Sequence, residues 1–148
     1  CGMKPEMLSR VTDPFTTSRT TRKVGLGLPL LRLAAEQTGG SLEITSRHID
    51  EFPEDHGTVV TAVFDTRHID SPPLGDVIST IVTLIQGHPD SDLLFCHTAE
   101  NLAVSLDTRE LREVLGDVPL STPDVLVWIK DSLSEQYGDG GGSSVFVR

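Results

Sequence analysis

Cysteine is scarce here, and so are tryptophan, tyrosine and long apolar runs. Only Cys1 and Cys96 carry thiols. Two cysteines make no disulfide framework, and a reducing, cytoplasmic setting is the expectation. No apolar run approaches the ~18 residues of a bilayer span. The first residues lack the apolar stretch of a secretory leader. Cations are also in deficit, with 12 Lys and Arg against 22 Asp and Glu, a net charge of −10. That balance argues against nucleic acid as a general partner. The five histidines include no two pairs at ligand spacing. His48 and His56 flank one loop, but a zinc site needs about four ligands. No internal repeat is visible. At 148 residues, 37% apolar and 23% charged, the chain has room for one large or two small globular domains.

Against this acidic background one stretch stands apart. No Asp or Glu occurs between Pro14 and Glu36, whereas Arg19, Arg22, Lys23 and Arg32 do. Thr16, Thr17, Ser18, Thr20 and Thr21 add hydroxyls. The island runs into Gly25-Leu26-Gly27-Leu28-Pro29, a glycine pair leading into a helix. Gly25 and Gly27 allow close backbone approach to an anion, and Pro29 suits a first helical turn. Free N–H groups and the helix dipole favour phosphate there. The same residues also suit a tight turn in a solvated loop, and a mobile phosphate lid is compatible with both.

In order along the chain, Pro14-Phe15-Thr16-Thr17 and then Gly25-Leu26-Gly27-Leu28-Pro29-Leu30 resemble the F and G2 boxes of the Bergerat-fold (GHKL) ATPases. The branch they resemble most is the histidine-kinase ATPase domain. Cys1-Gly2-Met3 is similar to the tail of that family's G1 box. Ala34-Ala35-Glu36, Gly39-Gly40 and Gly57-Thr58 fall where the family has its helix end, its turn and its last strand. Lys23 departs from the pattern by standing where the G2 box usually has another glycine.

The resemblance covers about residues 1–65. It implies an α/β (α+β) two-layer sandwich, a partial Bergerat fold with one layer of helices and one of mixed sheet. It also implies binding of ATP with Mg²⁺. Gly2 and Met3 would border adenine, and Thr58 would reach it through water. Thr16, Thr17, Arg19 and Lys23 would belong to the lid. Gly25, Leu26, Gly27 and Leu28 would lie against the phosphates, with N–H groups offered by Gly25, Gly27 and Leu28. Phe15 has two readings, a packing anchor under the lid and a nucleotide contact, and a lone aromatic favours the first. The family's Mg²⁺-binding Asn and adenine-binding Asp have no counterpart here, so both are expected before Cys1, in a longer parent. No histidine sits in a phosphoacceptor pattern.

Periodicity supplies the remaining elements. Lys4 to Arg10 allows a short helix, and Leu28 to Thr38 is the clearest one, ended by Gly39-Gly40. Ser41 to Arg47 alternates as a strand, with Leu42 and Ile44 on one side. Thr58 to Phe64 is apolar or β-branched and predicts a more buried strand. With neighbouring strands missing, though, Leu28, Leu31 and the apolar strand faces are expected to lose part of their cover.

Ser71-Pro72-Pro73 marks a linker. Beyond it the pattern predicts helix (74–86), strand (93–98), strand (102–106), helix (109–115) and helix (to about 136). Asp107 or Thr108 caps the fourth of these. Adjacent strand residues Cys96 and His97 would point to opposite faces, which suits no catalytic pair. A buried cysteine is expected there. The expected organisation is therefore an ATPase-like part (1–68), a small α/β module (71–137) and a flexible tail (138–148). The module loosely resembles the C-terminal extension of kinase-like ATP-binding proteins found with iron-only hydrogenases. It is expected to bind a protein partner, and a homodimer is open. Phosphotransfer or hydrolysis in the parent, a nucleotide-gated switch of the anti-sigma kind, and a degenerate interaction module all remain open.

Overall fold

The computed structural model describes residues 2–16 and 25–139. It divides into two compact units, Cys1–Pro72 and Pro73–Arg148. Both mix helices with small antiparallel sheets, an α+β architecture.

In the first unit, α1 (Pro5–Leu8) precedes α2 (Gly27–Gln37), β1 (Ser41–Arg47) and β2 (Gly57–Val63). Thr38, Gly39 and Gly40 end α2. The Thr38 hydroxyl donates to the Ala35 carbonyl at 2.9 Å. Gly39 N–H donates to Glu36 and Gly40 N–H to Ala35, with Gly39 at φ 75. This is the Schellman arrangement, which satisfies the last free carbonyls. Gly40 is required for a second reason. A Cβ there would lie 1.8 Å from the Val63 carbonyl oxygen, so only glycine lets the chain turn so close to the end of β2.

β1 and β2 pair antiparallel, with Leu42 opposite Ala62, Ile44 opposite Val60 and Ser46 opposite Thr58. Opposed residues share a face. Leu42 and Ile44 are half-buried, and α2 packs on both strands. The other face carries Glu43, Thr45 and Arg47 opposite Thr61, Val59 and Gly57. The expected burial of the second strand is therefore corrected. Val59 is 63% exposed and Val63 53%. Their β-branching reflects fit to a pleated strand, which it serves on an open face as well as in a core. Among the described residues only Ala35 and Thr38 are buried in this unit, and Leu30 and Leu33 of α2 are exposed.

The second unit runs α3 (Val77–Gly87), β3 (Leu94–Ala99), β4 (Leu102–Asp107), α4 (Thr108–Leu115) and α5 (Pro123–Asp139). Its core joins Ile81 and Ile85 of α3, Val104 and Leu106 of β4, Leu120, and Val125, Ile129 and Leu133 of α5. The α5 spacing is four residues at each step, one stripe of a helix. Asp76 caps α3, accepting from the Ser79 N–H at 2.8 Å and the Ser79 hydroxyl at 2.7 Å. Asp107 caps α4 through the Arg109 N–H. Thr108, fully buried, instead ties the start of α4 to β3. Its hydroxyl accepts from Leu93 N–H at 2.7 Å. The Gly138-Asp139 pair continues α5, and residues 140–148 lie outside the described part.

Candidate functional site

The residues expected at adenine come together in the structure. Gly2 has φ +66, and a Cβ on it would lie 1.9 Å from the Arg47 carbonyl and 3.1 Å from that of Gly57. Gly2 is therefore pressed onto the Arg47–Gly57 end of the β1–β2 ladder. Next to it, the Met3 N–H donates to Ser46 Oγ at 2.6 Å. Ser46 Oγ lies 2.8 Å from Thr58 Oγ1 and 3.1 Å from the Gly57 carbonyl. A serine hydroxyl has one proton and two lone pairs. It accepts from Met3 and shares its remaining bonds between Gly57 and Thr58, so one hydroxyl fixes the glycine–methionine segment against the last strand. Thr58 is exposed, so its hydroxyl keeps hydrogen-bonding capacity for a ligand beside its bond to Ser46. Beside this corner the Lys4 ammonium pairs with Asp50 at 3.1 Å. Its hydrogen bond holds the Asp50 carboxyl below the usual range.

Ser46 is the residue that sequence reasoning missed. The available signal was register: a strand pairing that sets Ser46 across from Thr58 places two hydroxyls side by side on one face.

On the phosphate side, α2 begins at Gly27, with Leu26 in the cap position (φ −92) and no side-chain cap. Its first internal bond is Leu30 N–H to Leu26 carbonyl. The N–H groups of Gly27 and Leu28 come before it, so neither has an acceptor within the helix. They sit at the positive end of the dipole. A Cβ on Gly27 would meet nothing within 4 Å. Gly25 is different, because its N–H donates to the Pro14 carbonyl at 3.0 Å. In this structure the Gly25 N–H is therefore already engaged. The bond joins Gly25 to Pro14, eleven residues earlier in the chain. The Thr16 N–H donates to the Asp13 carbonyl, and among the described residues the buried Thr16 Oγ1 has no partner. Phe15 is 79% exposed, so it is no packing anchor. It sits on a turn in which Asp13 Oδ1 accepts its N–H at 2.9 Å. Thr17, Arg19 and Lys23, expected in the lid, lie outside the described residues, as does Cys1.

These donors suit a polyphosphate: two helix-start N–H groups with no acceptor in their own helix, a hydroxyl with no partner among the described residues, and an exposed approach. Among the described residues no group of three His, Cys, Asp or Glu could hold a metal, so these residues give no Mg²⁺ ligand set. No helix among them is long and apolar enough to cross a membrane.

Among its described residues the second unit holds no comparable cluster. Cys96 is exposed, which corrects the expected burial. It lies on the outer face of β3, across from Ser105. His97 faces inward, with Nδ1 2.7 Å from the Tyr137 hydroxyl, and burial pushes the Tyr137 phenol up.

Residues 1–68 match the model of the family described as histidine kinase-, DNA gyrase B-, and HSP90-like ATPase. No curated protein and no solved structure matches this chain, and the likeness of the second half to hydrogenase-associated proteins gains no relative. The match spans the Gly2–Met3–Thr58 corner and the open start of α2 alike. Residues 1–68 are thus similar to the family described as histidine kinase-, DNA gyrase B-, and HSP90-like ATPase.

Proposed function

We propose that the first unit supplies the lid, the phosphate-facing helix start and the last-strand corner of an ATP site. That site serves ATP-dependent phosphotransfer or hydrolysis in the parent protein. The observation that carries this reading is the Met3–Ser46–Thr58 hydrogen-bond chain within the family-matched segment. It joins two sequence-distant motifs, both expected at adenine, and it has no evident role in a core that barely exists in this unit. Gly27 and Leu28 would meet the phosphates through their N–H groups, and Thr16 through its hydroxyl. Lys23 would add a charge-assisted contact. Mg²⁺, when bound, would neutralise the triphosphate. The second unit, with its own core and no catalytic grouping, would bind a protein partner.

The test separates base from phosphate. Thr58→Val is expected to weaken ATP and adenosine equally and to leave inorganic triphosphate unchanged. Lys23→Ala is expected to weaken ATP and triphosphate but not adenosine. Titration calorimetry with the three ligands reads both. Thr58→Val acting on triphosphate alone, or Lys23→Ala acting on adenosine, would overturn the assignment.

A further inference from the structure

Two helices of the second unit leave an apolar cleft open between them. The cleft measures about 480 Å³ and is lined by Leu111, Val114, Leu115, Asp124, Val125 and Trp128. Val114 is 86% exposed and Trp128 54%. Trp128 is the single tryptophan of the chain. An exposed tryptophan beside aliphatic side chains in a concave site is the composition of an interface hot spot, not of a solvated helix face.

The charge around the cleft says what would cover it. From Pro73 to Arg148 there are twelve Asp and Glu against four Lys and Arg, so this unit carries −8 of the chain's −10. Two of the four cations are already engaged. Arg109 forks onto both carboxylate oxygens of Asp107. Arg112 donates to Asp92 and to the carbonyls of Pro89 and Ser91. Lys130 acts on Asp76 at the start of α3. On the helices that wall the cleft, Glu110 and Glu113 precede Val114 by four and one positions on α4. Asp124 and Asp131 lie four before and three after Trp128 on α5. All four carboxylates are exposed. The result is an apolar cleft with one lining carboxylate, Asp124, in a strongly acidic unit.

We infer that this cleft docks an amphipathic helix of a partner protein, with its apolar stripe on Trp128 and Val114 and Lys or Arg on both flanks. A groove walled by two helices takes a third by ridge-into-groove packing, with anchors at three- and four-residue spacing. Basic flanks answer Asp124 and the unit's negative charge and raise the association rate. A second copy of this unit, equally acidic, is repelled, and so are nucleic acid and anionic lipid. The inference rests on the reading of the second unit as a partner-binding module and is independent of the nucleotide reading.

Trp128 is its own reporter. The whole chain is titrated with a synthetic amphipathic helix bearing a leucine stripe and lysine flanks. A second peptide keeps the stripe and carries glutamate flanks. Selective excitation of Trp128 follows the cleft, and amide spectra follow the rest of the unit. The expected result is a blue shift of Trp128 emission and binding of the lysine peptide at least about tenfold tighter than the glutamate peptide. Added salt should shrink the difference. Val114→Lys, at a largely exposed position that should not disturb folding, is expected to weaken the lysine peptide by about tenfold or more. Equal binding of the two peptides, or no Trp128 response to either, overturns the inference. So does a blue shift driven by protein concentration alone. Amide shifts within residues 73–139 with Trp128 unmoved would keep the partner-binding reading and sink the cleft.

Discussion

Replacing Gly27 by valine separates a glycine kept for the fold from one kept for a ligand. In the structure a Cβ at this position meets nothing within 4 Å, and the residue is exposed. Gly27 is also the first residue of α2, with no left-handed φ to protect. A side chain there costs no packing. Relief of glycine's backbone entropy, at most about 1 kcal/mol in a helix interior and less at its start, offsets valine's lower propensity. Stability should change by less than about 0.5 kcal/mol, as at other surface positions. Binding is another matter. A branched side chain over the Gly27 and Leu28 N–H groups blocks a charge-assisted hydrogen bond, worth about 1.5–3 kcal/mol. At an exposed helix start the lower end applies, or about tenfold in affinity for ATP or triphosphate. Gly40→Ala is the opposite control. Its Cβ would fall 1.8 Å from the Val63 carbonyl, so β2 must move, at about 1–3 kcal/mol or more. Thermal melts and anion titrations on both variants give the comparison. A Gly27→Val protein that is folded and binds triphosphate as before would remove the helix start from the site. One that unfolds would refute the open space on which the argument stands.

Two further outcomes follow from single hydrogen bonds. Ser46→Ala strands the Met3 N–H, at about 1–3 kcal/mol if it stays dry. Hydrogen exchange at Met3 should accelerate while the exchange of α5 amides is unchanged; an unaltered Met3 rate would show that the serine link does not hold this segment. Asp76 has a carboxyl held below its ordinary 3.8, first by the Ser79 hydroxyl and then by its N–H. A depressed native pKa gives stability that is present above the unfolded pKa and lost as pH falls through the native one. The melting temperature should therefore drop on acidification below 3.8, and Asp76→Asn, which keeps the cap but cannot titrate, should flatten part of that drop. Identical acid profiles for the two proteins would contradict the cap's role.

The order of elements was legible because each carries a local signal. Gly39-Gly40 ended α2 as glycines do, and the alternation of Leu42 and Ile44 set β1 in its observed range. In the second unit, one helical stripe through Val125, Ile129 and Leu133 located the core side of α5. What was hidden depended on partners. Residues 58–64 look buried because valine and threonine suit any strand, and which face meets water is decided by what packs on the sheet. Cys96 is expected inward from residue type alone and is exposed, and of the two readings of Phe15 the exposed side chain leaves the packing anchor without support. The bond from the Gly25 N–H to the Pro14 carbonyl has no local signal in the sequence. Ser46 was invisible because its role is a register effect, joining Met3 to Thr58 across 43 and 12 residues of sequence. The motifs gave the family resemblance of the first unit, and the hydrogen bonds show how two of those motifs meet.

Amide-resolved NMR during nucleotide titration tests the central claim most directly, because it needs neither tight binding nor turnover. The chain is titrated in parallel with ATP, adenosine and inorganic triphosphate. The account predicts that triphosphate moves the amides of Gly27 and Leu28, adenosine those of Met3 and Thr58, and ATP all four. It also predicts that the Gly25 amide, already bonded to Pro14, moves less than that of Gly27. Shifts confined to residues 73–139, or no shift at Gly27, Leu28, Met3 and Thr58 with ATP in excess, would contradict the placement of a nucleotide site on the first unit.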